Sequence, residues 1–307
     1  MKAIVYEQYG APEVLQITDV AKPNPKDNQV LVKIRATTVT VGDTIMRSFN
    51  IPGPRWQRIP ARLMLGIWKP RKPILGMELA GDIVTVGKNV MRYKVGDSVL
   101  ASTFSVGFGG YAEYICLPED GMLVHKPDKL SYGEAAAAVG GGMTALRILR
   151  KADIQPGQAV LIYGASGAVG TNAVQIARHH FGANVTGVCS TTNLDMVASI
   201  GADQVIDYTQ EDFTERAQTY DVIFDAVGKL DAQHGKQALK PDGVYLNVHK
   251  DSGSGEKKEE LLALIDLLTT GKVKPVIDRC YTFKEIVAAH HYVDKGHKKG
   301  NVVITVV

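Results

Sequence analysis

The sequence predicts an α/β chain with a β-rich barrel domain and a doubly wound parallel sheet domain inserted into it. Three observations carry that reading. Over residues 1–122, short β-branched runs are separated by Gly, Pro and Asn or Asp turns. Beyond residue 158, strand-like runs alternate with helical stretches, the rhythm of βαβ units on a parallel sheet. The tail, "VVITVV", returns to strand composition and is expected to pack beside the first domain. The expected boundaries are 1–122 with 273–307 for the barrel domain and 123–272 for the inserted one.

In chain order, "KAIVY", "QVLVKIRATTVT", "LAGDIVTVG" and "DSVLAST" read as strands, with no long helix between them. After "CLPEDGMLVHKPDKL" the texture changes. "SYGEAAAAVGGGMTALRILRKA" reads as a helix that the Gly140 to Gly142 run should loosen or break. Then "AVLIYGA", "NVTGVCS", "QVIDY", "YDVIFDAVG" and "GVYLNV" supply the strands of the second domain. "HKDSGSGEKKEELLALIDLL" passes through a Gly/Ser run straight into a charged amphipathic helix, as either a flexible linker or an ordinary surface loop.

Bulk numbers narrow the function. The 307 residues, 45% of them hydrophobic, suffice for about two cores. With 35 basic and 32 acidic residues the formal charge is +3, so no field points to nucleic acid. Cys116, Cys189 and Cys280 lie far apart, which fits a reducing compartment and neither a disulfide framework nor a structural zinc cluster. No secretion signal or run of about 18 apolar residues is present, so the cytoplasm is expected.

The chemistry starts at "LIYGASGAVGTNAVQIAR". Between a strand and a helix stand Ala165, Ser166, Gly167, Ala168, Val169 and Gly170, a variant of the dinucleotide fingerprint with Ala at the first glycine. Small residues let the backbone approach a pyrophosphate, whose charge sits at the helix N-terminus. An NAD site usually has an acid about 20 residues on, for the ribose 2′-hydroxyl. Here "GVCSTTN" offers Ser190, Thr191, Thr192 and Asn193 and no acid before Asp195. A 2′-phosphate suits that segment better, so NADPH is favoured, with NADH the alternative if the segment is merely a polar helix start.

The motifs "VGDTIMRS", "PILGMELAGDIVTVGKNV", "GGYAEY", "GGGMTAL", "VLIYGASGAVGTNAVQIAR", "YDVIFDAVG" and "HKKGNVVITV" follow one another along nearly the whole chain. In these the sequence resembles the medium-chain dehydrogenase/reductase superfamily, and within it the zinc-independent quinone oxidoreductase and alkenal/enone reductase branch. The resemblance implies a GroES-like domain with an inserted Rossmann domain. It also implies Thr144 near the nicotinamide ribose, Ala165 to Gly170 at the pyrophosphate, and Ser190 with Tyr208 around the 2′-phosphate. Ala226, Val227 and Gly228 would border the nicotinamide, and Gly300 and Asn301 would close over the cofactor. Zinc-bearing relatives carry Cys, His and Cys where this chain has Thr40, Met77 and Gly140, so no metal site is expected; no flavin motif is present either. Thr192 and Asn193 lie where related NADPH enzymes often have Lys or Arg, and Ile45 replaces a Tyr of some quinone reductases. "DSGSG" stands where relatives have some twenty more residues, including a sheet-edge strand that commonly forms the dimer interface. That shortening, by natural trimming or engineered deletion, puts the family's usual homodimer in doubt.

The reaction this implies is direct hydride transfer from NADPH to a small-molecule quinone or α,β-unsaturated carbonyl. Asp43, Thr44 and Arg47 are the candidates for the substrate side, with a turn-acceptor role equally open for Asp43. The segment "RWQRIPARLMLGIWKPRK" mixes Arg55, Arg58, Arg62, Lys69, Arg71 and Lys72 with Trp56, Leu63, Leu65 and Trp68. It could form a lid or touch an anionic membrane, but a solvated loop whose apolar residues pack on the barrel is the favoured reading, because Pro60 and Pro70 interrupt a long helix. The pairs His179-His180 and His290-His291 point to different helix faces and read as structural. Two rivals share the fold: an NADPH-binding protein acting through RNA, a membrane or a protein partner, and an enoyl-thioester reductase.

Overall fold

Ten residues, Gln29–Thr38, organise the first half of the computed structural model. Seven of the ten are buried, Val30, Leu31, Val32 and Ile34 among them, and both strand edges are used. One edge pairs antiparallel with Glu78–Val86; the other pairs with Tyr114–Pro118 through residues 29–33 and with Asn301–Thr305 through residues 36–38. Ser98–Ser102 and Leu123–His125 extend the sheet on one side, and Ile277–Thr282 ends it on the other, giving seven strands. Ile34, Leu79, Ile83 and Leu100 are among its fully buried side chains.

The structure describes residues 1–51, 56, 58–253 and 255–306; Arg55 of the basic segment and Ser254 of the Gly/Ser junction lie outside them. Two compact units result, residues 1–137 with 277–307, and residues 138–276. The division falls inside one helix, Tyr132–Leu149. Its continuity corrects the expectation that Gly140 to Gly142 would break it. A Cβ on Gly141 would lie 2.6 Å from the Ala168 carbonyl oxygen, and one on Gly142 would lie 2.7 Å from Leu264 Cδ1. The glycines are packing surfaces, and close burial offsets their helix cost of about 1 kcal/mol each.

The second unit holds five parallel strands in the order Gln204–Asp207, Asn184–Cys189, Ala159–Tyr163, Tyr220–Asp225, Leu239–Asn247. Chain order reverses beside the central strand Ala159–Tyr163, which creates a crevice at the carboxyl ends of the strands. Among the described residues Leu239–Asn247 is an edge, followed by the short helix Val248–Asp251 and the helix Lys258–Thr269.

The basic segment corrects a second expectation. It is not a loop packed on the barrel: Arg58–Leu65 is a helix, with Pro60 in its first turn, where a missing N–H costs little. Ile59, Leu63, Met64, Ile67 and Trp68 are exposed. Among the described residues no helix is long and apolar enough to cross a membrane.

Candidate functional site

In the second unit, Ala159–Tyr163 runs into the turn at Gly164 and Ala165, whose N–H groups both donate to the Val188 carbonyl, at 3.0 and 2.9 Å. The helix Ala168–His179 follows. Gly167 caps it without a side-chain acceptor, which leaves the positive dipole end and its first amides to an outside anion. Gly170 fixes the approach of helix to turn, since a Cβ there would lie 2.1 Å from the Gly164 carbonyl oxygen. Thr144 sits on Tyr132–Leu149 one turn beyond Gly141, the point where that helix meets Ala168.

Around this turn the strand ends deliver the other expected residues. Ser190 begins the short 3₁₀ turn Thr191–Asn193 after Asn184–Cys189, and Tyr208 N–H donates to the Cys189 carbonyl at 3.1 Å. Ala226 N–H donates to the Tyr163 carbonyl at 3.0 Å, which seats Ala226 to Gly228 beside the same crevice. Three residues shape it: Asn193, which the sequence reading named in the polar segment, and Asp225 and Asp207, which it missed. Asn193 Nδ2 donates to Ser166 Oγ at 3.2 Å and to Ser190 Oγ at 3.0 Å, while its Oδ1 is buried with no hydrogen-bond partner. Asp225, fully buried, accepts from the amides of Val227, Gly228 and Leu230 and from Asn247 Nδ2. Asp207 accepts from Thr191 Oγ1 and from the hydroxyl and amide of Thr209; the Thr191 hydroxyl first among these holds its carboxyl below the usual range. The "IDY" and "FDAVG" motifs carried the signal, but not which donors would surround each carboxylate. A dinucleotide fits this set: a pyrophosphate at the uncapped helix, and an orphaned buried acceptor, Asn193 Oδ1, for a hydroxyl donor.

The first unit brings a different cluster together. Thr40 and Asp43 form a capping box on the helix Val41–Ser48: Asp43 N–H donates to Thr40 Oγ1, and Thr40 N–H and O–H donate to Asp43 Oδ2. Asp43 Oδ1 accepts from Gly76 N–H at 3.0 Å, and Tyr111 adds a further donor. Burial nevertheless outweighs these donors and pushes the Asp43 carboxyl up to about 6. Thr44, nearly buried, bonds the Val41 carbonyl through its hydroxyl.

Arg47, on the same helix, donates from Nε to the Gly10 carbonyl, from Nη1 to His290 Nδ1 at 3.1 Å and from Nη2 to Asp294 at 2.8 Å. Because arginine only donates, His290 Nδ1 must accept, so the ring proton is on Nε2. Nε2 then donates to Tyr111 Oη at 3.2 Å, and Tyr111 donates to Asp43. Burial, helped by Arg47, pushes His290 down to about 3, so it is neutral. The links from Arg47 through His290 and Tyr111 to Asp43 all donate in one direction, and Arg47 donates separately to Asp294.

Beside this cluster Thr38 Oγ1 donates to Glu78, and Val39 N–H donates to the Val302 carbonyl, which brings the start of Asn301–Thr305 alongside. Lys298, partly buried just before that strand, donates to the Gly300 carbonyl. Burial pushes its ammonium down to about 8, while Glu78 and Asp278 pull it back up.

Residues 26–128 match the model of the alcohol dehydrogenase GroES-like domain, and residues 168–273 and 249–304 match two models of zinc-binding dehydrogenases. The chain is 34% identical to a 2-methylene-furan-3-one reductase of Solanum lycopersicum, covering 99% of this chain and 79% of that one. The chain belongs to the medium-chain dehydrogenase/reductase superfamily. Within the superfamily it lies in the quinone and enone reductase branch. It is 31% identical to a chloroplastic NADPH-dependent alkenal/one oxidoreductase of Arabidopsis thaliana, again over 99% of this chain and 79% of the other. The quinone oxidoreductase structure from Coxiella burnetii superposes with a TM-score of 0.85 at 29% identity, covering 100% of this chain and 99% of that one.

This member of the superfamily gathers Thr144, Ala165 to Gly170, Ser190, Tyr208 and Ala226 to Gly228 in one unit, while Gly300 and Asn301 belong to the other. One expectation is corrected by burial. Arg47 is 3% exposed with all three guanidinium nitrogens engaged inside its unit, so it is a structural donor and not a substrate-facing cation. Asp43, fully buried, is a turn acceptor in the capping box with Thr40.

Proposed function

We propose that this chain is an NADPH-dependent reductase of quinones or α,β-unsaturated carbonyls that works without zinc. The observation that carries the reading is the polar, carboxylate-free segment Ser190–Asn193 beside an uncapped helix start at the crevice of a parallel sheet. The activities after which its relatives are named support the acceptor class. The donor set supports the absence of zinc. Thr40 Oγ1 and Met77 Sδ are 3.6 Å apart, and neither side chain supplies a thiolate or an imidazole.

In this reading Thr144 and Ala165 to Gly170 hold the pyrophosphate and ribose, Ser190 and Tyr208 the 2′-phosphate, and Ala226 to Gly228 the nicotinamide end. NADPH, when bound, supplies the hydride. What the chain must add is a site for the negative charge left on the carbonyl or quinone oxygen, and a proton. Lys298 is the group for both: its ammonium stands just before the last strand, within reach of Glu78 and Asp278, and Thr44 completes the substrate side.

The test is oxidation of NADPH and NADH with 1,4-benzoquinone, 9,10-phenanthrenequinone, an alkenal and an alkenone, each with and without chelator. Chelator-resistant turnover that prefers NADPH is the expected result; a requirement for zinc would sink the proposal. Ser190→Asp is expected to lower kcat/KM for NADPH about 100-fold, by replacing a donor with a charge that repels the 2′-phosphate, and to spare NADH. An unchanged NADPH to NADH ratio would remove Ser190 from the site.

A further inference from the structure

The helix Arg58–Leu65 is turned against its own amphipathy. Arg62, in its last turn, points inward: the guanidinium carbon lies 4.6 Å from the Tyr9 ring centroid and 4.2 Å from that of Phe49, and Nη1 donates to the Ile67 carbonyl. Tyr9 Oη donates to the carbonyls of Leu65 and Gly66, at 3.0 and 3.2 Å, and Arg71 N–H returns to Leu65 at 2.9 Å. The segment is thus tied to the body along one side. Its other side presents Ile59, Leu63, Met64, Ile67 and Trp68, which are 68, 56, 69, 51 and 90% exposed.

Isolated exposed apolar residues need no account, but five within ten residues form a patch that a soluble surface rarely leaves uncovered. Charge indicates what covers it. From Thr44 to Met77 the sequence has no Asp or Glu, and Lys69, Arg71 and Lys72, all exposed, follow Trp68 directly. A symmetric pairing of this patch with a second copy would set those cations against themselves with no acid of the segment to offset them. An anionic surface with an apolar interior satisfies both features at once: the cations meet headgroups, and Met64 and Trp68 enter the acyl boundary, where Trp is favoured.

We propose that this face docks the protein peripherally on anionic lipid bilayers. The inference rests on the first unit alone, and its co-sedimentation and melting readouts do not depend on the reductase reading, on which only the turnover readouts rest.

The test is co-sedimentation of the full-length protein, without cofactor or acceptor, with vesicles of phosphatidylcholine containing about 30% phosphatidylglycerol and with vesicles of phosphatidylcholine alone. Binding about tenfold stronger to the anionic vesicles, and largely lost in 0.5 M NaCl, is expected. The paired changes Met64→Glu with Trp68→Glu, and Lys69→Glu with Arg71→Glu, should each remove most of it. All four residues are exposed, so the variants should keep their melting temperatures and 1,4-benzoquinone turnover. Equal partition onto both vesicle types, or binding untouched by either pair, would overturn the proposal. So would concentration-dependent dimerisation abolished by Met64→Glu with Trp68→Glu, which reassigns the face to a second copy. A raised KM for soluble benzoquinone without loss of vesicle binding would reassign it to a lid.

Discussion

Replacing Lys298 by Met is expected to lower kcat by about 10²- to 10³-fold, the range for losing one proton donor or one stabiliser of a developing oxyanion. The variant should still fold. Methionine keeps the apolar stem, and the ammonium is already disfavoured by burial, so removing it takes away a cost as well as a hydrogen bond to Gly300. The charged groups facing Lys298 are Glu78 and Asp278, with His297 and Lys299 flanking it in sequence. With its ammonium at about 8, wild-type kcat should fall as pH rises through that value, because the reactive form is the protonated one. The limb should be missing in Lys298→Met. Lys298→Arg separates the two roles: it keeps a cation for the oxyanion but cannot release a proton in this range, so it should recover part of kcat and show no limb near 8. An alkaline limb that survives in Lys298→Met would assign it to another group and remove Lys298 from the reaction.

The crevice at the carboxyl ends of the parallel strands was legible in the sequence because its determinants are local. Ala165 to Gly170 are small residues between a strand and a helix, and Ser190 and Tyr208 each follow a β-branched run that ends at the same sheet edge. What was not legible depends on partners far along the chain. Gly141 reads as a helix breaker until Ala168 lies against it. Arg47 reads as an available cation until Asp294, 247 residues later, accepts from it. Lys298 is one lysine of the "HKKGN" run until the pairing of the last strand with Gln29–Thr38 brings it to Glu78. The inversion of Arg58–Leu65 belongs to the same class, since an amphipathic pattern names an apolar face but not the direction it turns, and Tyr9 and Phe49 decide that here.

Arg47 also gives the largest expected effect on stability. Arg47→Ala should cost about 3–5 kcal/mol, because it leaves His290 Nδ1 and the Gly10 carbonyl without donors inside the unit and strands Asp294. In urea or thermal unfolding that corresponds to a midpoint lowered by about 10 °C, and a loss under about 1 kcal/mol would show that the buried chain is not a structural element. The other end of the chain supplies an independent check through pH. The Asp43 carboxyl is raised from 3.8 to about 6 in the folded protein, so the fold favours its protonated form. Its stabilising contribution is therefore complete below about pH 4 and is lost as pH rises through about 6, to a total of roughly 3 kcal/mol. Asp43→Ala loses the capping box at every pH but carries no such titration. The stability gap between wild type and variant should accordingly shrink by roughly 2 kcal/mol between about pH 4.5 and 7.5. A gap that widens with pH would mean that the donors from Thr40, Gly76 and Tyr111 outweigh burial, and that Asp43 is held as a carboxylate. In that case the polarised chain ends on a charge, and Tyr111→Phe, which removes one of those donors, should destabilise the protein more at high pH than at low.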